Sequence, residues 1–259
     1  MMIEQLKTLI WFSKRISYWR HALSLIARKF YKNKDSLYLR TQATEWAANQ
    51  YVSVDEALSS IGLTSQNKEI NHKLSDSLIE HAKLLAQNSK VEMGGAGDLD
   101  LLFAASKLSN AKNILETGVA YGWSSLAILT SISDKKDAKL ISIDMPYPKM
   151  NNEEFVGIVV MDSLRDNWEL IREPDRNGIK KALKKFGGVI DLCHYDSDKS
   201  YYGRVYAYPI LWNALKKGGV FIADDIEDNM AFKEFVEIRN LNFAVTKSEG
   251  KYIGIVYKN

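Results

Sequence analysis

Residues 113–125 read N-I-L-E-T-G-V-A-Y-G-W-S-S. Asn113–Thr117 is a short apolar run that ends beside Glu116, Gly118 turns the chain, and Gly122–Ser131 resumes with helical spacing. Gly118 permits a tight turn and lets a ligand approach the backbone without meeting a Cβ, and Gly122 lets the helix start close to the sheet. The first helical N–H groups have no partner in the helix, so the turn from Thr117 to Ser124 offers donors to a ligand's acceptor atoms. There is no G-x-G-x-x-G and no P-loop lysine, which favours a nucleoside without phosphates over a dinucleotide. Glu116 would repel a pyrophosphate and would accept hydrogen bonds from a ligand ammonium. A glycine turn after a strand is also a common structural device. The next strand, Lys139–Asp144, raises the case for a ligand: Asp144 at its tip either accepts from ribose hydroxyls or caps a turn.

Strands and helices alternate downstream. Trp168–Ile171 and Val189–Tyr195 read as strands, Ile179–Phe186 and Tyr201–Leu215 as helices. Lys217-Gly218-Gly219 reads as a stop and turn before the strand Val220–Ala223. Met230–Arg239 reads as a helix, and Phe243–Lys247 with Tyr252–Tyr257 as a closing hairpin. Repeated βα units predict a mostly parallel α/β sheet with an antiparallel C-terminal edge, its ligands past the C-terminal strand ends.

Two later strands end in acids: D-L-C-H-Y-D-S-D-K-S-Y-Y-G over 191–203 and G-G-V-F-I-A-D-D-I-E-D-N over 218–229. On adjacent parallel strands Asp196, Asp224 and Asp225 converge, and carboxylates that close repel unless a cation lies among them. Hard oxygen donors without a His or Cys cluster suit Mg²⁺, or similarly Ca²⁺ or Mn²⁺. The bland alternative is a surface acid pair with Lys199 as its counter-ion. Asp198 and Lys199 both lie where a base would take a proton from a bound hydroxyl, Lys199 only when neutral.

Upstream, residues 1–34 carry a net charge of +7, leaving −4 for the remaining 225 residues, a balance that disfavours nucleic acid as substrate. Ile3, Leu6, Ile10, Ile16, Trp19, Leu23, Ile26 and Phe30 space as an amphipathic helix, with a break near Ser13 or Ser17. Such a helix lies on an anionic membrane or packs on the body or on a second subunit. Residues 35–97 form a second segment, a helical cap or dimerisation element ending in a glycine-rich loop, and 98–259 the main domain. Apolar content of 46% and charged content of 26% are ordinary for a globular chain, and a single cysteine, Cys193, permits no internal disulfide. No spanning segment is evident. The reading is a cytoplasmic protein, with the inner membrane face as the place of any peripheral contact.

Over residues 90–240 the chain resembles class I S-adenosylmethionine-dependent methyltransferases, most closely the macrocin-type and sugar O-methyltransferase branch. Y-D-S-D-K-S-Y followed by L-K-K-G-G-V-F-I-A-D-D-I-E-D-N-M-A-F is similar to that branch's D-S-x-H-x-Y, G-G, D-D and N-x-A-F pattern. The resemblance implies a Rossmann-like methyltransferase domain over 98–259. Glu116, Gly118 and Gly122 fall on the motif for the cofactor's methionine part and Asp144 on the ribose acid. Asp175 falls near an adenine-side acid, with Pro174 where a glycine is usual. Asp196, Asp224 and Asp225 fall on the metal ligands. Lys199 replaces the branch's histidine, in a spacing similar to catechol-type O-methyltransferases. The implied reaction is metal-dependent methyl transfer to a hydroxyl of a sugar, glycolipid or related small molecule, with a catechol or phenol as the alternative acceptor and a homo-oligomer as the assembly. Outside this class stand a nicotinamide-dependent oxidoreductase, opposed by the missing glycine motif, and a non-catalytic membrane module.

Overall fold

The computed structural model describes residues 10–12, 14–15, 18–64, 73–146 and 152–259. Strands β1 (Asn113–Thr117), β2 (Lys139–Ile143), β3 (Trp168–Ile171), β4 (Ile190–Tyr195), β5 (Leu215–Ala223), β6 (Phe243–Ser248) and β7 (Lys251–Lys258) form one sheet in the order β3-β2-β1-β4-β5-β7-β6. The first five are parallel, and β7 runs antiparallel to β5 and β6. The order reverses between β1 and β4, and a crevice forms at such a switch point.

Side-chain alternation sorts the core. Ile114, Leu140, Leu192, Val220 and Ile222 pack on one face with Leu101, Leu102 and Ala105 of α5 (Leu99–Leu108) and Ile128 of α6 (Trp123–Ser131). Leu115, Ile141, Cys193 and Phe221 pack on the other. There they meet α7 (Asp175–Lys185), α8 (Tyr201–Ala214) and α9 (Ala231–Ile238) through Ile179, Tyr208 and Phe235.

Residues 35–97 share these cores. Ala57 and Leu58 of α3 (Val54–Ser60) join the first face, and Ala47 of α2 (Leu37–Ala48) joins the second. Helix α4 (Asp76–Gln87) adds Ala82 to a small cluster with Trp123 and Leu126. Residues 10–12 are helical and α1 (Trp19–Arg28) follows. Ser13, Ser17 and the expected positions Ile3, Leu6 and Ile16 fall outside the described residues.

Two expectations need correction. The strand expected to start at Val220 begins at Leu215, so Lys217-Gly218-Gly219 lies inside β5, where the register with β4 shifts between Ile190 and Leu192 and Gly218 is left-handed at φ +76°. A bulge absorbs glycines that sequence alone reads as a stop. Helix α7 starts at Asp175 rather than Ile179, because Pro174, extended at φ −61°, fixes the entry to its first turn.

Candidate active site

The turn after β1 is shaped by its neighbour. Gly118 sits at φ +82°, and a Cβ there would lie 2.1 Å from the Asp196 carbonyl oxygen. Asp196 N donates to Thr117 O at 2.9 Å and Ser197 Oγ to Thr117 Oγ1 at 2.9 Å, so the tips of β1 and β4 are joined side by side. Gly122, at φ +92°, is tight against a different partner from the expected sheet: a Cβ would lie 2.9 Å from Gly157 Cα.

Asp144 organises the turn. Its Oδ2 accepts from Val119 N at 2.9 Å and Ala120 N at 3.2 Å, and Arg172 pairs with its Oδ1. A carboxylate has about four acceptor sites, so a ribose would share it with these donors.

Glu116 is fully buried and is not among the residues lining the cavity, so the expected contact with a ligand ammonium is corrected. Its Oε2 accepts from Ser125 Oγ at 2.5 Å and Ser142 Oγ at 2.6 Å, and Trp168 Nε1 donates to Ser142 Oγ at 2.8 Å. Its Oε1 lies 3.5 Å from His194 Nδ1, and His194 Nε2 lies 3.3 Å from Asp224 Oδ1. Ser142, Glu116 and His194 are register partners on β2, β1 and β4, so a buried polar row crosses the sheet and ends on an acid of the β5 tip. Burial pushes the His194 imidazole down, but Asp224 and Glu116 outweigh it and raise its pKa to about 10. The row is legible in outline: a histidine between Cys193 and Tyr195 in a buried strand needs a partner.

At the acid end, burial and then Asp224 push the Asp196 carboxyl up to about 6 against the pull of Lys199. The Lys199 ammonium lies 3.1 Å from Asp196 Oδ1 and pairs with Asp225 Oδ2, while Lys251 Nζ lies 3.1 Å from Asp225 Oδ1. Burial raises the Asp225 carboxyl, but these lysines outweigh it and hold it low. Arg204, buried, donates to the carbonyls of Asp224 at 3.2 Å and Asp225 at 2.7 Å and fixes the turn that presents both acids.

Both candidate bases are engaged. Burial would lower Lys199, yet Asp196 and Asp225 hold its ammonium well above the usual lysine range. Asp198 Oδ1 accepts from Ser200 N at 3.1 Å and Ser200 Oγ at 2.7 Å and lies 3.5 Å from Arg28.

A cavity of about 980 Å³ joins the two ends. Gly118, Asp144, Asp175, Asp196, Asp198 and Lys199 line it; Thr117, Gly122, Ser124, Asp224 and Asp225 do not. Asp175, at the start of α7, accepts from Ser197 Oγ at 2.5 Å, and burial raises its pKa to about 6. Phe12, His21, Leu25 and Arg28 close the cavity from above, a contribution that sequence reasoning missed. Tyr201 N and Asn229 Nδ2 both donate to Asp35 Oδ1, at 2.7 and 3.2 Å, and tie this roof down.

The space suits a nucleoside-sized cofactor beside an acceptor. The acids suit a hard divalent ion in donor type, and the Lys199 ammonium marks where positive charge settles between Asp196 and Asp225. Among the described residues no three acids close into a ligating cage, so an entering ion has to displace Lys199. His194 and Lys251, which sequence reasoning left out, lie against Asp224 and Asp225 and offset the negative charge from which such an ion is expected.

Residues 115–226 match a family model described as a methyltransferase domain. The chain is 22% identical over 176 residues to "Probable caffeoyl-CoA O-methyltransferase 3" of Dictyostelium discoideum; the match covers 64% of each protein, just under two-thirds of that relative's length. Its fold is similar to that of the O-methyltransferase TomG of Streptomyces achromogenes, solved with S-adenosylmethionine. The TM-score is 0.56 at 16% identity, covering 73% of this chain and 93% of that one. It is also similar to an O-methyltransferase of Bacillus cereus solved with S-adenosylhomocysteine, with a TM-score of 0.53 at 14% identity, covering 82% and 100%. With the sheet order, the glycine turn and the acid at the β2 tip, these findings show a methyltransferase domain over residues 115–226, on a Rossmann-like fold similar to that of the O-methyltransferases.

Proposed function

We propose that the chain transfers a methyl group from S-adenosylmethionine to a hydroxyl oxygen of a small-molecule or glycan acceptor. One observation carries this reading: a single cavity runs from the Gly118–Ala120 turn, with Asp144 and Asp175, to Asp196, Asp198 and Lys199. The cofactor supplies a methyl group already activated on a sulfonium, so the chain's task is alignment and exclusion of water. The turn and Asp144 hold the nucleoside end. Leu25 and Phe12 cover the cavity. Lys199 or Asp198 takes the acceptor's proton, Lys199 after release from its acids. Asp196, Asp224 and Asp225 would hold Mg²⁺ or a similar ion, which lowers a hydroxyl's pKa.

A second reading of the acid cluster also has an observation behind it. Lys199 already bridges Asp196 and Asp225, and with Lys251 and His194 it balances the cluster without a metal. For the acceptor, a sugar hydroxyl follows the sequence pattern, and Phe12 and Tyr206 on the cavity wall favour a phenol.

The test is calorimetry with S-adenosylhomocysteine, then mass spectrometry of a sugar and phenol panel with the methyl donor, with Mg²⁺ or with EDTA. Binding and a gain of one methyl group are expected. Absence of binding at high micromolar ligand would overturn the reading, and full turnover in EDTA would select the metal-free form.

A further inference from the structure

Helix α1 has two faces with different occupants. At about 100° per residue, His21, Leu25 and Arg28 fall on one side, and these residues roof the cavity. Trp19, Leu23 and Ile26 fall within about 60° of arc on the opposite side and are 58%, 61% and 58% exposed. Phe30, just past the helix end, is 86% exposed and extends the same stripe. None of the ten residues of α1 is buried. Among the described residues, nine of the fourteen exposed large hydrophobic side chains lie between Ile10 and Tyr38, so the apolar surface is concentrated on this segment rather than scattered.

Charge selects the partner. Residues 10–34 contain seven Lys and Arg and no Asp or Glu. Arg28 is spent on Asp198 and Lys34 on Glu234, whereas Lys14, Arg20, Lys29 and Lys32 make no ion pair among the described residues. Arg20 and Lys29 flank the apolar stripe on its two sides. A second copy of this face would bring those cations against their own counterparts. An anionic lipid surface accepts both the stripe and its basic borders.

We infer that α1 docks on an anionic membrane surface through Trp19, Leu23, Ile26 and Phe30, with Arg20 and Lys29 against the headgroups. The same helix roofs the cavity with its other face, so docking leaves α1 between the lipid and the cavity. The inference concerns binding and stands apart from the methyl-transfer reading.

The experiment is flotation of the full chain with vesicles of phosphatidylglycerol and phosphatidylcholine, and with phosphatidylcholine alone. Flotation with the mixed vesicles only is expected, weakening as salt is raised. Arg20→Glu with Lys29→Glu should weaken binding by roughly tenfold or more. Leu23→Ser with Phe30→Ser should abolish it while leaving the circular dichroism unchanged, since both side chains are exposed. Brominated lipid should quench the parent more than Trp19→Phe. No flotation with mixed vesicles, or flotation untouched by Leu23→Ser with Phe30→Ser, overturns the inference. So does a stable dimer that this double variant dissociates, because the stripe then belongs to a second copy.

Discussion

His194 Nε2 lies 3.3 Å from Asp224 Oδ1, so the imidazolium that neutralises buried Glu116 also anchors an acid at the tip of β5. Strands β1 and β5 are thereby coupled through the core by way of β4.

Replacing His194 leaves Glu116 in the core without its cation. Breaking one partner of a buried pair costs about 3–5 kcal/mol, and His194→Ala is expected to lose that order of stability in urea unfolding. His194→Gln combined with Glu116→Gln should be less damaging than the sum of the two single changes. Strict additivity would mean that the row is not a unit.

Gly118→Ala tests the contact between the two strand tips. The new Cβ has no room beside the Asp196 carbonyl and the backbone is left-handed, so both the turn and Asp196 must shift. Loss of S-adenosylhomocysteine binding by at least about tenfold is expected, with about 1–3 kcal/mol of stability. Unchanged affinity by calorimetry would contradict the geometry.

Asp175 gives a pH dependence. Burial raises its pKa to about 6 from 3.8, so the fold prefers the neutral carboxyl. Its contribution to stability is fully present below the unfolded value and is lost as pH rises through about 6. Asp175→Asn stays neutral and should melt above the parent at pH 8, by about 1–2 kcal/mol after allowing for its partial exposure. The gain should vanish toward pH 4, and a gain independent of pH would refute the assignment.

Lys199→Met removes the ammonium from between Asp196 and Asp225. A loss of about 1–2 kcal/mol is expected, limited because the lysine is partly exposed. Mg²⁺ should raise the melting temperature of the variant more than that of the parent, since a divalent ion then enters without displacing an ammonium. Equal indifference of both proteins to Mg²⁺ in differential scanning fluorimetry would remove these acids from consideration as metal ligands.

The strands were legible because their chemistry is local. Ile114, Leu140 and Leu192 mark buried strands by composition, and Gly118 and Asp144 mark strand tips by position. The bulge in β5 was not, because Lys217-Gly218-Gly219 has the composition of a turn and only pairing with β4 decides otherwise. Asp196, Asp224 and Asp225 follow the ends of the adjacent strands β4 and β5, but their counter-ions come from elsewhere. Lys251 lies on the closing hairpin, and His194 acts through the interior of β4. The roof was hidden for the same reason: nothing in the spacing of His21, Leu25 and Arg28 says that they line one cavity with Gly118, Asp144 and Lys199.

The close fit of Gly118 against the Asp196 carbonyl has a practical consequence for redesign. The glycine turn and the acid strand behave as one casting, in which bulk at Gly118 moves Asp196. The roof, built from the far N-terminal part of the chain and fastened through Asp35, is a separate piece. Variants meant to change what the cavity admits should graft or diversify residues 18–40 and leave the casting alone.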